Sequence, residues 1–228
     1  MAESTFYQRT GKRIVDGVAA AFGLLLLAPI FFLIAALIKL TSRGPVFFRQ
    51  TRVGQFEKPF RMFKFRSMTG GGSGPGALLT CAADPRVTPL GRWLRKSKLD
   101  ELPQLFNVLR GEMSLVGPRP EVPEYVAVYS QGQLRVLLAR PGITGLVAIN
   151  NVQEEELLAA QTDKHSFYQS VLLPAKLRLD LFYCRNIRFA EDLRILFATF
   201  FKIFHRSAAS ASPLLPNSEK QTWVRPVG

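Results

Sequence analysis

A chain of 228 residues, 47% of them hydrophobic, is long enough to bury a sizeable core. Its 30 Lys and Arg against 17 Asp and Glu leave a formal charge of +13, which favours anionic partners: nucleic acid, an acidic membrane leaflet or phosphorylated small molecules. Two histidines, His165 and His205, and two distant cysteines, Cys81 and Cys184, argue against a zinc site, a His-based triad or a disulfide framework, and for a reducing compartment.

The first element is apolar. From Val18 to Ile38, 21 residues run without a charge. As a helix at about 1.5 Å per residue they reach roughly 30 Å, enough to cross a bilayer. The run is too long for a signal-peptide core, and no small-residue cleavage site follows it. A single spanning anchor is the plain reading. Pro29 near the middle works against it by removing a helical hydrogen bond. Cations also flank both ends, Arg9, Lys12 and Arg13 before and Lys39, Arg43, Arg49 and Arg52 after. Both ends therefore prefer the cytoplasm. A re-entrant hairpin that returns to its own face satisfies both observations.

Residues 45–68 predict two strands, in "PVFFRQTRVG" and "FRMFKFRSM", joined by turn residues Gly54 to Pro59. "GGGSGPG", Gly70–Gly76, reads as a loop and lacks the Gly-Lys-Ser/Thr ending of a P-loop. Helical periods follow at Arg178–Arg185 and Ala190–Phe204. The second places Leu193, Leu196, Phe197, Phe200, Phe201 and Phe204 on one side and ends in Lys202, His205 and Arg206. It suits a membrane interface or an ordinary core equally. Beyond Arg206 the composition turns to Ser, Ala, Pro and Asn, which predicts a disordered tail.

"KSKLDELPQLFNVLRGEMSLVGPRPE", Lys96–Glu121, carries the chemistry. Pro103 is tolerated in a first helical turn, so a helix is expected from near Asp100, with Leu102, Leu105, Phe106 and Leu109 on one face. Asp100 and Glu101 would sit at its positive end, where acids are ordinary caps. Yet Arg92, Arg95, Lys96 and Lys98 precede them and Arg119 follows between Pro118 and Pro120. Prolines on both sides restrict the backbone and suit an arginine that presents its fork to a phosphate. Free helix N–H groups also bind phosphate. A carboxylate pair, a helix end and a constrained arginine fit phosphoryl transfer, one carboxylate as nucleophile and the other holding a divalent metal.

The chain resembles the bacterial sugar transferases, monotopic phosphoglycosyl transferases that start glycan assembly on a polyprenyl-phosphate carrier. The resemblance covers residues 9–204 and rests on "KRIVDG", the apolar segment with central Pro29, "GPVFFRQTRVG", "KFRSM", "DPRVTPLGRWLRKSKLDELPQLFNVLRGEMSLVGPRP" and "RPGITG". It implies sugar 1-phosphate transfer from a UDP-sugar to undecaprenyl phosphate with release of UMP, in exopolysaccharide, O-antigen, capsule or glycoprotein glycan synthesis. It assigns Asp100 as the nucleophile of a covalent intermediate and Glu101 as the Mg²⁺ ligand. Lys64, Arg66, Arg95 and Arg119 become phosphate-binding candidates, with Arg140 as a further one, and Pro29 becomes the break of a re-entrant membrane helix. The implied fold class is mixed α/β with small strand content. Its parts are a re-entrant hairpin (1–43), a cytoplasmic catalytic domain with interfacial helices (44–206) and a tail (207–228). The implied location is the cytoplasmic face of the bacterial inner membrane. Membrane lipids join the two substrates as partners, nucleic acid does not, and a homodimer stays open.

Two departures stand out. Many relatives have Ser-Pro at the helix break where this chain has Ala28-Pro29, so a hydroxyl that would bond a freed carbonyl is missing. After "RPGITG" the run is "LVAINNVQEEEL" where relatives often carry a Gln and later an Arg, so no sugar identity is carried over. Two rivals remain. A scaffold or nucleic-acid binder would not need adjacent acids inside its most basic stretch. An inactive transferase of the same fold would be expected to lack part of the set Asp100, Glu101, Lys64 and Arg119.

Overall fold

Lys12–Thr41 forms one helix, α1, entered through a π-type turn at Tyr7–Gly11. The computed structural model describes residues 6–70, 84–150 and 154–204. α1 has 30 residues, about 45 Å at the helical rise. It stays helical through Pro29, so the expected hairpin break is not a non-helical segment. The φ that proline imposes is itself helical, which lets the chain continue across the missing bond.

One stripe of α1 is buried, at Asp16, Ala20, Ile34 and Ile38, with Leu24, Leu27 and Phe31 partly covered between them. The spacing of three or four residues keeps one face on the rest of the fold. Elsewhere Val18, Phe22, Leu25, Leu26, Phe32 and Leu33 are exposed. The most apolar stretch has a mean hydropathy of 2.8 and only 11% of it is buried, unlike the core helix of a soluble domain.

The expected strands are present. β1 (Phe47–Val53) and β2 (Pro59–Phe65) pair antiparallel, Phe47 opposite Phe65 and Val53 opposite Pro59. Their connection places Phe56 and Glu57 at positive φ, +56° and +60°. Phe60, Met62 and Phe65 of β2 turn inward, against Ala20 and Leu105 in one cluster and against Ile34, Ile38 and Leu94 in another.

α2 (Pro89–Lys96) is capped by the Thr88 hydroxyl, which accepts from the Gly91 N–H at 2.8 Å. Gly91 lies against β2's exit: a Cβ there would sit 1.9 Å from the Ser67 carbonyl oxygen. We expect Gly91→Ala to destabilise the fold by about 1–3 kcal/mol through backbone displacement, read as a lower unfolding midpoint.

A helix does not start at Asp100. A single 3₁₀ turn, Leu99–Glu101, follows Lys98 in the left-handed region, and α3 (Gln104–Arg110) begins only after Pro103. The expected apolar face is corrected as well. α3 buries Gln104, Leu105, Asn107 and Val108, whereas Phe106 and Leu109 are exposed. Asn107 turns inward because β2 needs it: its Oδ1 accepts from the Phe63 N–H and its Nδ2 donates to the Arg61 carbonyl.

Gly111 at φ +84° ends α3 and leads into β3 (Ser114–Val116). β3 pairs in parallel with β4 (Gly142–Thr144), Ser114 opposite Gly142. Between them come α4 (Pro123–Val126) and a 3₁₀ segment, Gln133–Leu138. Three short helices follow, α5 (Leu146–Ile149), α6 (Glu154–Ala159) and α7 (Lys164–Phe167). A π-type turn, Tyr168–Leu172, then enters α8 (Leu173–Arg185), five residues earlier than its period indicated.

α9 (Phe189–Phe204) matches its predicted span within a residue. It buries Asp192 and Ile195 and exposes Leu193, Phe197, Phe200 and Phe201. Gly71–Gly76, Cys81, the side chain of Arg9, His205 and the tail lie outside the described residues.

Candidate active site

Lys64 near the end of β2, the dyad in its 3₁₀ turn and Arg119 beyond β3 meet at one point. Glu101 Oε1 accepts from Lys64 Nζ at 3.0 Å and from Arg119 Nη2 at 2.7 Å. The Glu101 side chain is 12% exposed, Lys64 19% and Arg119 37%. Both cations take the same oxygen, and among the described residues no hydrogen bond falls on Oε2.

Asp100 is 6% exposed, and its Oδ1 is buried with no hydrogen-bond partner among the described residues. Its environment and that of Glu101 push the two carboxyls apart. Burial raises the Asp100 carboxyl above its ordinary range, against the pull of Lys64, while the adjacent Glu101 charge adds to the rise. Burial would raise Glu101 too, but Arg119 and Lys64 outweigh it and hold this carboxyl well below its usual value. Burial lowers the Lys64 ammonium and Glu101 opposes that, whereas Glu101 raises Arg119. Neighbouring carboxyls separated in this way take different roles. Glu101 is the carboxyl that both cations contact, and Asp100 is the carboxyl raised by burial, with no hydrogen bond to its Oδ1 among the described residues.

Arg119 is held by its backbone on both sides. Pro118 O accepts from Gly142 N at 2.8 Å, and Arg52 Nη1 donates to Pro120 O at 3.0 Å. Gly117 must be glycine here, because a Cβ would lie 2.4 Å from the Arg140 carbonyl oxygen. Glu121 then anchors the loop, Oε1 accepting from Tyr168 Oη at 2.6 Å and Lys176 Nζ at 3.0 Å. A cavity beside this loop reaches Lys176 and Asp180 on α8.

The remaining sequence candidates fall differently. Arg95 lies close enough to Asp100 to favour its ionised form, and its Nη1 is 3.6 Å from Met68 Sδ. Arg66 is committed elsewhere: Nη2 donates to Ser42 O and Oγ, both at 2.8 Å, fixing the exit of α1. Among the described residues the Arg140 side chain makes no ion pair, and its backbone packs on Gly117. Lys98, noted before the dyad, was not named as a site candidate, although its charge also favours ionised Asp100 and Glu101. Nor were Glu121, Lys176 and Asn107, for which the sequence offers only an acid after Pro-Arg-Pro and a helical period.

No group of three or more His, Cys, Asp or Glu among the described residues could cage a metal ion. That does not disfavour Mg²⁺, which commonly takes one or two carboxylates and completes its shell with phosphate and water. Glu101 Oε2, beside Lys64 and Arg119, fits such a ligand.

A family profile described as bacterial sugar transferase matches residues 7–206. The chain is 45% identical over 208 residues to an undecaprenyl-phosphate glucose phosphotransferase of Komagataeibacter xylinus, covering 86% of this chain and 36% of that protein. It is 40% identical over 201 residues to a UDP-glucose:undecaprenyl-phosphate glucose-1-phosphate transferase of Klebsiella pneumoniae, covering 87% and 41%. The chain thus spans well under half the length of these two. It matches 83% of a shorter relative, the exopolysaccharide production protein ExoY of Rhizobium meliloti, at 37% identity over 203 residues. With the match running from the turn before α1 to beyond α9 and enclosing the whole dyad–arginine site, the chain belongs to the bacterial sugar transferase family.

Proposed function

We propose that the chain transfers a sugar 1-phosphate from a UDP-sugar to undecaprenyl phosphate, with Asp100 as the nucleophile. The observation that carries this reading is the unequal dyad: Glu101 is clamped by two cations, while the buried Asp100 has an oxygen with no partner. In the first step an Asp100 oxygen bonds to the β-phosphorus, and the bond from that phosphorus to the bridging oxygen breaks as UMP leaves. In the second, a prenyl-phosphate oxygen attacks the same phosphorus and releases the Asp100 carboxylate. Lys64 and Arg119 offset the charge of the donor phosphates, and Glu101 keeps those cations in register. Mg²⁺ held through Glu101 would add charge stabilisation at the pyrophosphate. Because Asp100 is covered, the donor must displace part of that cover to reach it.

Relatives named for UDP-glucose and UDP-N-acetylgalactosamine support the donor class but differ in sugar. The testing experiment measures UMP release from a panel of UDP-sugars with undecaprenyl phosphate in lipid. Release from at least one donor is expected. Release from none identifies an inactive scaffold of the same fold.

The proposed location draws on α1. Its N-terminal end pairs Lys12 with Asp192 of α9, and its C-terminal end receives Arg66 from beyond β2. Both ends therefore hold one body, which supports a helix that dips into the bilayer from the cytoplasmic face of the inner membrane. Phe197, Phe200 and Phe201 of α9 would lie at the same interface. In a background without Cys81 and Cys184, cysteines at Thr10 and Ser130, both exposed, should resist a membrane-impermeant thiol reagent added outside spheroplasts. Labelling at Thr10 but not Ser130 would mean that α1 spans.

A further inference from the structure

Glu101 and Arg119 close a loop of chain. From the dyad the backbone runs out along α3, turns at Gly111 and returns along β3 to Arg119, where the 2.7 Å ion pair joins its ends. The far side of that loop is held by the first turns of α1. Arg13 Nη1 donates to Val108 O at 2.7 Å and Nη2 to Leu109 O at 2.8 Å, satisfying carbonyls at the α3 C-terminus. The guanidinium fills the space beside Gly111, where an added Cβ would be 3.2 Å from Nη2. One turn further along α1, the buried Asp16 accepts from Ser114 Oγ at 2.7 Å and from the Leu115 N–H at 3.1 Å.

The same helix therefore grips the end of α3, which follows the dyad's turn, and the start of β3, which leads to Arg119. Those two elements connect the two halves of the candidate ion pair. We propose that Arg13 and Asp16 are positioning residues for the Glu101–Arg119 pair, so that the seating of the apolar helix sets the geometry of the candidate active site. This rests on the transferase reading above for its catalytic consequence, but the mechanical linkage stands on the contacts alone. Small misplacements of a phosphate-binding group cost a large part of a rate. Asp16 and Arg13 lie next to the apolar run of α1, so they link membrane insertion to chemistry without touching substrate.

The test uses the full chain in lipid nanodiscs. Asp16→Ala is expected to lower kcat/KM for UMP release by about 10- to 100-fold. Asp16→Asn, which keeps an oxygen acceptor and can donate to Ser114 Oγ, should restore most of it. In an Arg119→Lys background, where the fork that needs placing is gone, Asp16→Ala should cost no more than about 3-fold, the non-additivity of coupled residues. Equal losses in both backgrounds, or none in either, would overturn positioning. A second arm needs no turnover. Amide exchange in Asp16→Ala should speed up about 10-fold at Glu101, bonded to Lys98 O, and at Gly117, bonded to Thr144 O, while Asn186 beyond α8 is unchanged. Acceleration confined to Ser114–Val116 would overturn the proposal. If Asp16→Ala does not fold, Ser114→Ala removes one of the two bonds and should move the same readouts in the same direction. A wild type that releases no UMP would sink the transferase reading, with the exchange arm then deciding the linkage.

Discussion

Asp100→Asn is expected to reduce UMP release by at least ~10⁴-fold while leaving the unfolding midpoint near that of the wild type. An amide has no lone-pair anion to attack phosphorus, so the covalent step is lost. The fold should tolerate the change because Asp100 Oδ1 has no partner to lose, and replacing a buried carboxyl raised by desolvation with a neutral amide removes a buried charge. Donor labelled in its β-phosphate should label wild-type protein in the absence of prenyl acceptor. Equal labelling of Asp100→Asn would place the nucleophile elsewhere. The raised carboxyl also sets a pH limb. Activity needs the ionised form, so it should fall as pH drops through that raised value, at higher pH than for an ordinary aspartate. A rate independent of pH across the acidic range would contradict this role.

Glu101→Gln has the second largest expected effect, because Glu101 is not the helix-end charge that its sequence position allowed. It bridges Lys64 and Arg119, and neutralising it leaves two cations side by side in a mostly covered site. Burial already lowers Lys64, so losing its carboxylate lowers it further and weakens its hold on phosphate. Arg119, more than a third exposed, loses the partner that aims it. We expect turnover to fall about 10²–10³-fold, the scale seen when one preorganised charge-stabilising group is removed. The unfolding midpoint should fall by the equivalent of about 1–3 kcal/mol. Titrating Mg²⁺ separates the two roles of Glu101. A metal ligand predicts a higher Mg²⁺ concentration for half-maximal rate in Glu101→Gln, together with loss of wild-type activity in excess EDTA. An unchanged midpoint with a lowered rate would leave Glu101 as the organiser of the cations alone.

Particular residues show what was legible. Two runs rich in Phe and Val, with turn residues between them, marked the hairpin, and β1 and β2 differ from expectation only at their ends. The uncharged run of α1 and the helical period of α9 were legible because both signals are local in the chain. The dyad and Arg119 were visible as residue types in an unusual setting, and the resemblance gave them roles. The resemblance made Arg66 a phosphate-binding candidate, and its Nη2 donates to Ser42 O and Oγ. Whether a guanidinium meets a ligand or a helix terminus depends on what folds beside it.

Sequence by itself therefore determined the inventory: an apolar helix flanked by cations, a hairpin, and an acid pair among Lys and Arg with one arginine held between prolines. Tertiary structure decided the pairings. Asp100 and Glu101 are neighbours in the chain, with no local signal to say which is clamped by cations and which keeps a buried oxygen outside any hydrogen bond. The answer comes from β2 delivering Lys64 and the exit of β3 delivering Arg119 to the same oxygen of Glu101. The inward turn of Asn107, the anchoring of Glu121 by Lys176 and the grip of Asp16 on β3 are likewise contacts between residues 44, 55 and 99 positions apart. Hydrophobic period is a property of a few consecutive residues. A buried carboxylate's partner is a property of the whole packing, because only there do desolvation and the approach of distant cations meet.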